Sequence, residues 1–63
     1  MYSNLDEVPF DVVRGRPTVI KVGARFYIVG TAYGYLHTAS GDRRSYGTRK
    51  AAVSRLTRYL GAA

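Results

Sequence analysis

GDRRSYGTRKAAVSRLTRYL, residues 41–60, reads as a tight turn, a short basic strand, a helix cap and one amphipathic helix, and this reading decides the fold. Thr48 suits the N-cap, because its hydroxyl can accept from an amide that the first helical turn leaves without a partner. No Glu or Gln follows at the third helical position to complete a capping box. On a helix starting near Arg49, the residues Ala52, Val53, Leu56, Tyr59 and Leu60 fall within an arc of about 120° at 100° per residue, the stripe of a helix lying on a sheet. Gly61 suits the position that ends it. Six of the ten cations lie in this stretch, so the segment that packs the fold also carries most of its charge.

Upstream, residues 17–29 are rich in β-branched and aromatic side chains and predict two antiparallel strands joined around Gly23 and Ala24. Two registers compete. Turn chemistry favours a two-residue loop with Gly23 first, as a type II′ turn wants, and that register places Lys21 opposite Phe26. An odd-length loop instead groups Thr18, Ile20, Phe26 and Ile28 on one face, with Val19, Lys21, Arg25, Tyr27 and Val29 on the other. Because a buried face specifies register strongly, the odd loop is preferred. Residues 30–34 then read as a break, residues 35–40 as a third strand, and residues 43–47 as a short fourth strand after a Gly41-Asp42 turn. A two-residue turn there puts Tyr35, His37, Ala39, Arg44 and Tyr46 on one side, and Thr38, Ser40, Arg43 and Ser45 on the other.

The fold class expected is therefore α+β: an antiparallel sheet of three or four strands with one C-terminal amphipathic helix packed on one face. Residues 1–16 have no clear period and are expected to form a flexible acidic arm or a short edge strand, with Phe10 as its anchor. Residues 17–63 form a single sheet-plus-helix domain. A chain of 63 residues buries only about 60% of the surface its unfolded form exposes, which argues against a sizeable internal active site. With no cysteine, neither a disulfide nor a thiolate zinc site reinforces the core.

Charge is the strongest compositional signal. The first eleven residues hold Asp6, Glu7 and Asp11 and no cation, whereas the rest hold all ten cations against Asp42 alone. Such a field favours polyanionic partners. Hydrolysis or phosphoryl transfer needs paired carboxylates, a nucleophile with its base, or converging metal ligands. The chain has one histidine, and beyond its N-terminal arm one acid, so no enzyme, metal or cofactor is expected. Asp42 is a turn residue, and His37, alone on a strand, reads as a half-buried structural histidine. Neither a signal-peptide pattern nor an apolar run long enough to span a membrane is seen, so a cytoplasmic protein without membrane contact is expected.

The candidate binding residues follow from charge and aromaticity. Thr48, Arg49 and Lys50 stand where a helix start exposes unpaired amides, and two cations there reinforce capture of a phosphate. Lys21, Arg25, Arg43 and Arg44 supply charge on the sheet side. Tyr27 is expected beside Arg25 and Lys21, an interleaving that suits nucleic-acid backbones and unstacked bases.

The segment Gly47-Thr48-Arg49-Lys50-Ala51-Ala52, coming off a short strand, resembles the start of the last helix of double-stranded-RNA-binding domains. The resemblance implies that the pair Arg49 and Lys50 grips phosphates. The order of strands, glycine-containing turn and Thr-Arg-Lys-Ala-Ala over residues 18–60 also looks like the arm-type DNA-binding domains of tyrosine integrases, which implies a sheet set into the major groove with a helix behind it. Size and style resemble short accessory proteins of bacteriophage genomes. The function expected is a small, basic, non-enzymatic nucleic-acid-binding accessory protein that contacts duplex DNA phosphates, with DNA ahead of RNA as partner. The alternative is a protein-interaction module or homo-oligomer using the tyrosines and an exposed sheet edge.

Overall fold

The computed structural model describes residues 2–61. Met1 and residues 62–63, the ends of the two segments expected from the sequence, lie outside the described residues. Two strands, β1 (Thr18–Val22) and β2 (Arg25–Val29), form an antiparallel hairpin. A two-residue strand, β3 (Ser45–Tyr46), pairs with the other edge of β2. The C-terminal helix, which we label α2 (Arg49–Gly61), packs on this three-stranded sheet, so the class is α+β. Ahead of the sheet come a 3₁₀ turn (Leu5–Glu7) and a single helical turn, α1 (Phe10–Val13).

The hairpin register corrects the odd-loop expectation. Val22 faces Arg25 and Lys21 faces Phe26, so the loop is the two residues Gly23 and Ala24. Gly23 takes φ +60 while Ala24 stays at negative φ, the pattern of a type II′ turn. Since directly paired residues share a face, Val19, Lys21, Phe26, Ile28 and Tyr46 lie on one side. Thr18, Ile20, Val22, Arg25, Tyr27, Val29 and Ser45 lie on the other. The odd loop had looked better only on the premise that one face is buried, and here both are.

Helix α2 covers the first face, where Val19, Ile28 and Ala52 form the core and Phe26, Leu36, Tyr46 and Leu56 pack around them. On the second face Val22, Val29 and Tyr35 are buried as well. The Tyr35 ring meets Tyr27 edge-on, with centroids 6.0 Å apart. The N-terminal residues are tied to the same hairpin: the Tyr2 amide donates to the Lys21 carbonyl at 3.0 Å, the Gly23 amide to the Tyr2 carbonyl at 2.7 Å, and the Gly30 amide to the Val13 carbonyl at 2.9 Å. Within the segment expected as a flexible arm or edge strand, residues 5–7 and 10–13 form two short helical turns. The first turn is capped by the Asn4 side chain, which accepts from the Asp6 amide, and the Glu7 carboxylate has a local use, accepting from the Ser3 amide at 2.8 Å. Phe10, the expected anchor, is 75% exposed. Gly30 is demanded by this docking: at φ +84, a Cβ there would lie 2.4 Å from the Arg16 backbone.

The third and fourth strands also need correction. Residues 35–40 form no ladder. The Leu36 amide donates to the Ile28 carbonyl at 2.9 Å and the Arg44 amide to the Leu36 carbonyl at 2.7 Å, which wedges Leu36 between β2 and the chain leading into β3. His37 bridges to Arg43, and the Thr38 amide bonds the Asp42 carbonyl, so the loop is Ala39, Ser40 and Gly41. Gly41 takes φ +93 in its third place, as three-residue hairpin loops prefer.

The helix follows the sequence closely. The Thr48 hydroxyl accepts from the Ala51 amide at 3.2 Å, completing the cap. The buried stripe is narrower than expected: Ala52 is fully buried and Leu56 and Tyr59 partly so, whereas Val53 and Leu60 are exposed. The helix runs through Gly61, whose φ is not in the left-handed region.

Candidate functional site

The register sorts the cations onto two faces. Lys21, expected beside Arg25 and Tyr27, sits on the helix side, with Nζ 5.8 Å from the Phe26 ring centre. Arg25 and Tyr27 remain together on the opposite side. Arg43 and Arg44 are likewise divided: the Arg43 guanidinium lies 5.0 Å over the Tyr35 ring, and that of Arg44 lies 5.6 Å over Tyr46. Tyr35 and Tyr46, expected on one side, are therefore on different faces. The Tyr46 hydroxyl is buried without a hydrogen-bond partner. Both distances lie within the range of cation–π attraction, which engages the charge without using the guanidinium N–H donors.

One group of cations is assembled by the tertiary structure. The Arg25 Nε donates to the Ser45 Oγ at 3.1 Å, which draws the side chain across to β3 and toward Gly47. A Cβ on Gly47 would stand 3.8 Å from an Arg25 terminal nitrogen. Arg49 and Lys50 follow, both exposed, at the helix end where the dipole is positive. Helix stability disfavours cations there, so an anion held by the free amides and by Arg25, Arg49 and Lys50 would reverse a local penalty. Tyr27 does not join this group as an open ring, because it is half-buried against Tyr35.

A second feature escaped the sequence reading. A groove of about 340 Å³ opens between residues 31–38 and the end of α2, lined by Tyr33, Tyr35, Leu36, His37, Thr38 and Tyr59. His37 is exposed in it, not half-buried as expected, because its chain segment is the outer partner of a single bridge and no strand interior. The Thr31–Gly34 turn at its rim was legible only as a break in the strands. The Tyr35 hydroxyl has its pKa raised, chiefly by burial and partly offset by Arg43, so the ring is neutral at ordinary pH. Among the described residues no group of three His, Cys, Asp or Glu side chains stands ready for a metal, and no helix is long and apolar enough to cross a membrane. Compared with known proteins, the chain matches no family model, no curated protein and no solved structure.

Proposed function

We propose that this protein is a small, basic, non-enzymatic nucleic-acid-binding accessory protein that holds the phosphates of duplex DNA. The observation that carries the reading is the placement of Arg25 from β2 against Gly47, two residues ahead of Arg49 and Lys50 in the first turn of α2. Arg25 reaches the segment leading into α2, and Arg49 and Lys50 open its first turn, so three cations accompany a positive dipole end, the combination that favours a phosphate. The surplus of cations over residues 12–63 supplies the wider field that steers a polyanion there. The resemblance of residues 47–52 to the helix start of double-stranded-RNA-binding domains supports the same role for Arg49 and Lys50. Phosphate contacts of this kind position a backbone without reading sequence.

Fluorescence anisotropy with a labelled duplex, repeated across salt concentrations, tests the proposal. A log-log slope of about −0.9 per neutralised phosphate is expected. Arg49→Gln with Lys50→Gln should lower affinity for all duplex sequences alike and flatten the slope by as much as about 2, while leaving folding intact. Arg55→Gln with Arg58→Gln is the control and should matter less, because these cations sit toward the other end of α2. Abolished binding in the control, with the first pair unaffected, moves the contact surface to the outer face of the helix and overturns the anchor.

A further inference from the structure

We propose that the groove beside the Thr31–Gly34 turn takes one unpaired nucleobase of the bound strand, stacked on Tyr33, with the phosphate of the same strand met by Arg43. This deepens the phosphate-binding reading and rests on it. Tyr33 is 84% exposed, so its ring face is open to a planar partner. The backbone that carries it is braced. The Thr31 and Gly34 amides each donate to the other's carbonyl at 3.0 Å, closing the turn on Ala32 and Tyr33. The Thr31 Oγ1 lies 3.1 Å from the carbonyls of both Gly34 and Tyr35 and accepts from the Tyr33 amide at 3.3 Å. A backbone braced in this way has its ordering cost met on folding, so stacking on Tyr33 forfeits little entropy.

The chemistry of the walls selects the ligand class. The volume, about 340 Å³, is at the low end for ligand clefts and suits one planar heterocycle. The threonine hydroxyls are already committed, that of Thr31 to its own turn and that of Thr38 to the Ser40 hydroxyl at 3.0 Å and the Asp42 amide, while the lining tyrosines and His37 carry their polar atoms at the ring edges and leave the ring faces for stacking. What the groove offers is aromatic and apolar surface, which accepts any base by stacking. Arg43 lies over Tyr35, one of the lining rings, and is bridged to His37, another lining residue. A nucleotide carries both a π face and an anion for this pair, whereas an aromatic peptide side chain brings no anion.

Spacing joins the two sites. Tyr59 in the groove wall lies ten residues along α2 from Arg49, which is about 15 Å at 1.5 Å per residue. At about 3.4 Å per step of one strand, a backbone anchored at the helix start reaches the groove after four or five nucleotides.

Three labelled duplexes of one sequence test this: fully paired, with one unpaired base, and with an abasic bulge at the same place. Wild-type protein should bind the unpaired-base duplex about 5- to 100-fold more tightly than the other two. Tyr33→Ala should remove that preference and leave affinity for the paired duplex unchanged, and Tyr33→Phe should retain it. Equal affinity of wild type for all three duplexes, or a preference that survives Tyr33→Ala, overturns the groove proposal and leaves the phosphate anchor standing. Failure to bind any of the three at low salt overturns both.

Discussion

Replacing Val29 by alanine tests the most consequential feature of the fold, the burial of both faces of one short sheet. Val29 is fully buried on the side away from α2, while its neighbour Ile28 is fully buried beneath the helix. Val29→Ala removes two methylene equivalents, a transfer loss of about 1.6 kcal/mol, and the cavity left behind brings the cost to about 2–3 kcal/mol. Ile28→Val removes one and should cost about 0.5–1.5 kcal/mol. A chain of this length has a total stability of about 3–9 kcal/mol, so the first change consumes a large share of it. Urea unfolding followed by far-ultraviolet circular dichroism reads the result. With a slope of about 1 kcal/mol/M for so small a protein, the Val29→Ala midpoint should fall by about 2 M. Val53→Ala, on the exposed side of α2, is the control and should stay within about 0.5 kcal/mol of wild type. A Val29→Ala midpoint indistinguishable from that control would refute the two-sided core, because a residue on an open face would lose almost nothing.

Gly30→Ala should destabilise by at least about 2 kcal/mol, since it combines a left-handed backbone with a clash against the Arg16 backbone; an unchanged melting temperature would show that residues 13–17 do not close on Gly30 as described. Thr48→Ala should cost about 1 kcal/mol through the lost cap and leave the salt slope of DNA binding unchanged, as unfolding and anisotropy titrations would show. Tyr35 has a folded pKa above its unfolded value of about 10, so its contribution is fully present below that value and is lost as pH rises through the folded pKa. Absorbance titration at alkaline pH should find one tyrosine ionising after the others, and Tyr35→Phe should remove that late step and weaken the fall in stability above pH about 10. If the step that Tyr35→Phe removes lies at pH about 10 and not above it, the ring is not desolvated on the second face.

The sequence by itself determined the elements whose codes are local. Thr48 with the following apolar spacing specified α2 and its cap, and the β-branched run with Gly23 specified a hairpin. The turn chemistry at Gly23 was in fact the correct guide to register, and the face-grouping argument misled. Its premise, one buried face, depends on what lies over each side of the sheet. Only tertiary structure decided that, because Tyr35, which meets Tyr27 on the second face, and the N-terminal residues tied to the hairpin are distant in sequence and without a period of their own. The same cause divided the candidate binding residues. A one-residue change of register moves every side chain to the other face, so Lys21 parted from Arg25 and Tyr27; the three-residue loop at 39–41 likewise parted Tyr35 from Tyr46. The basic pair Arg49-Lys50 was legible because a helix start is a local feature, whereas its third cation, Arg25, arrives from a strand more than twenty residues away. The groove left no mark in the sequence at all, since its walls come from a turn, a single bridge and the far end of a helix that meet only when the sheet has closed.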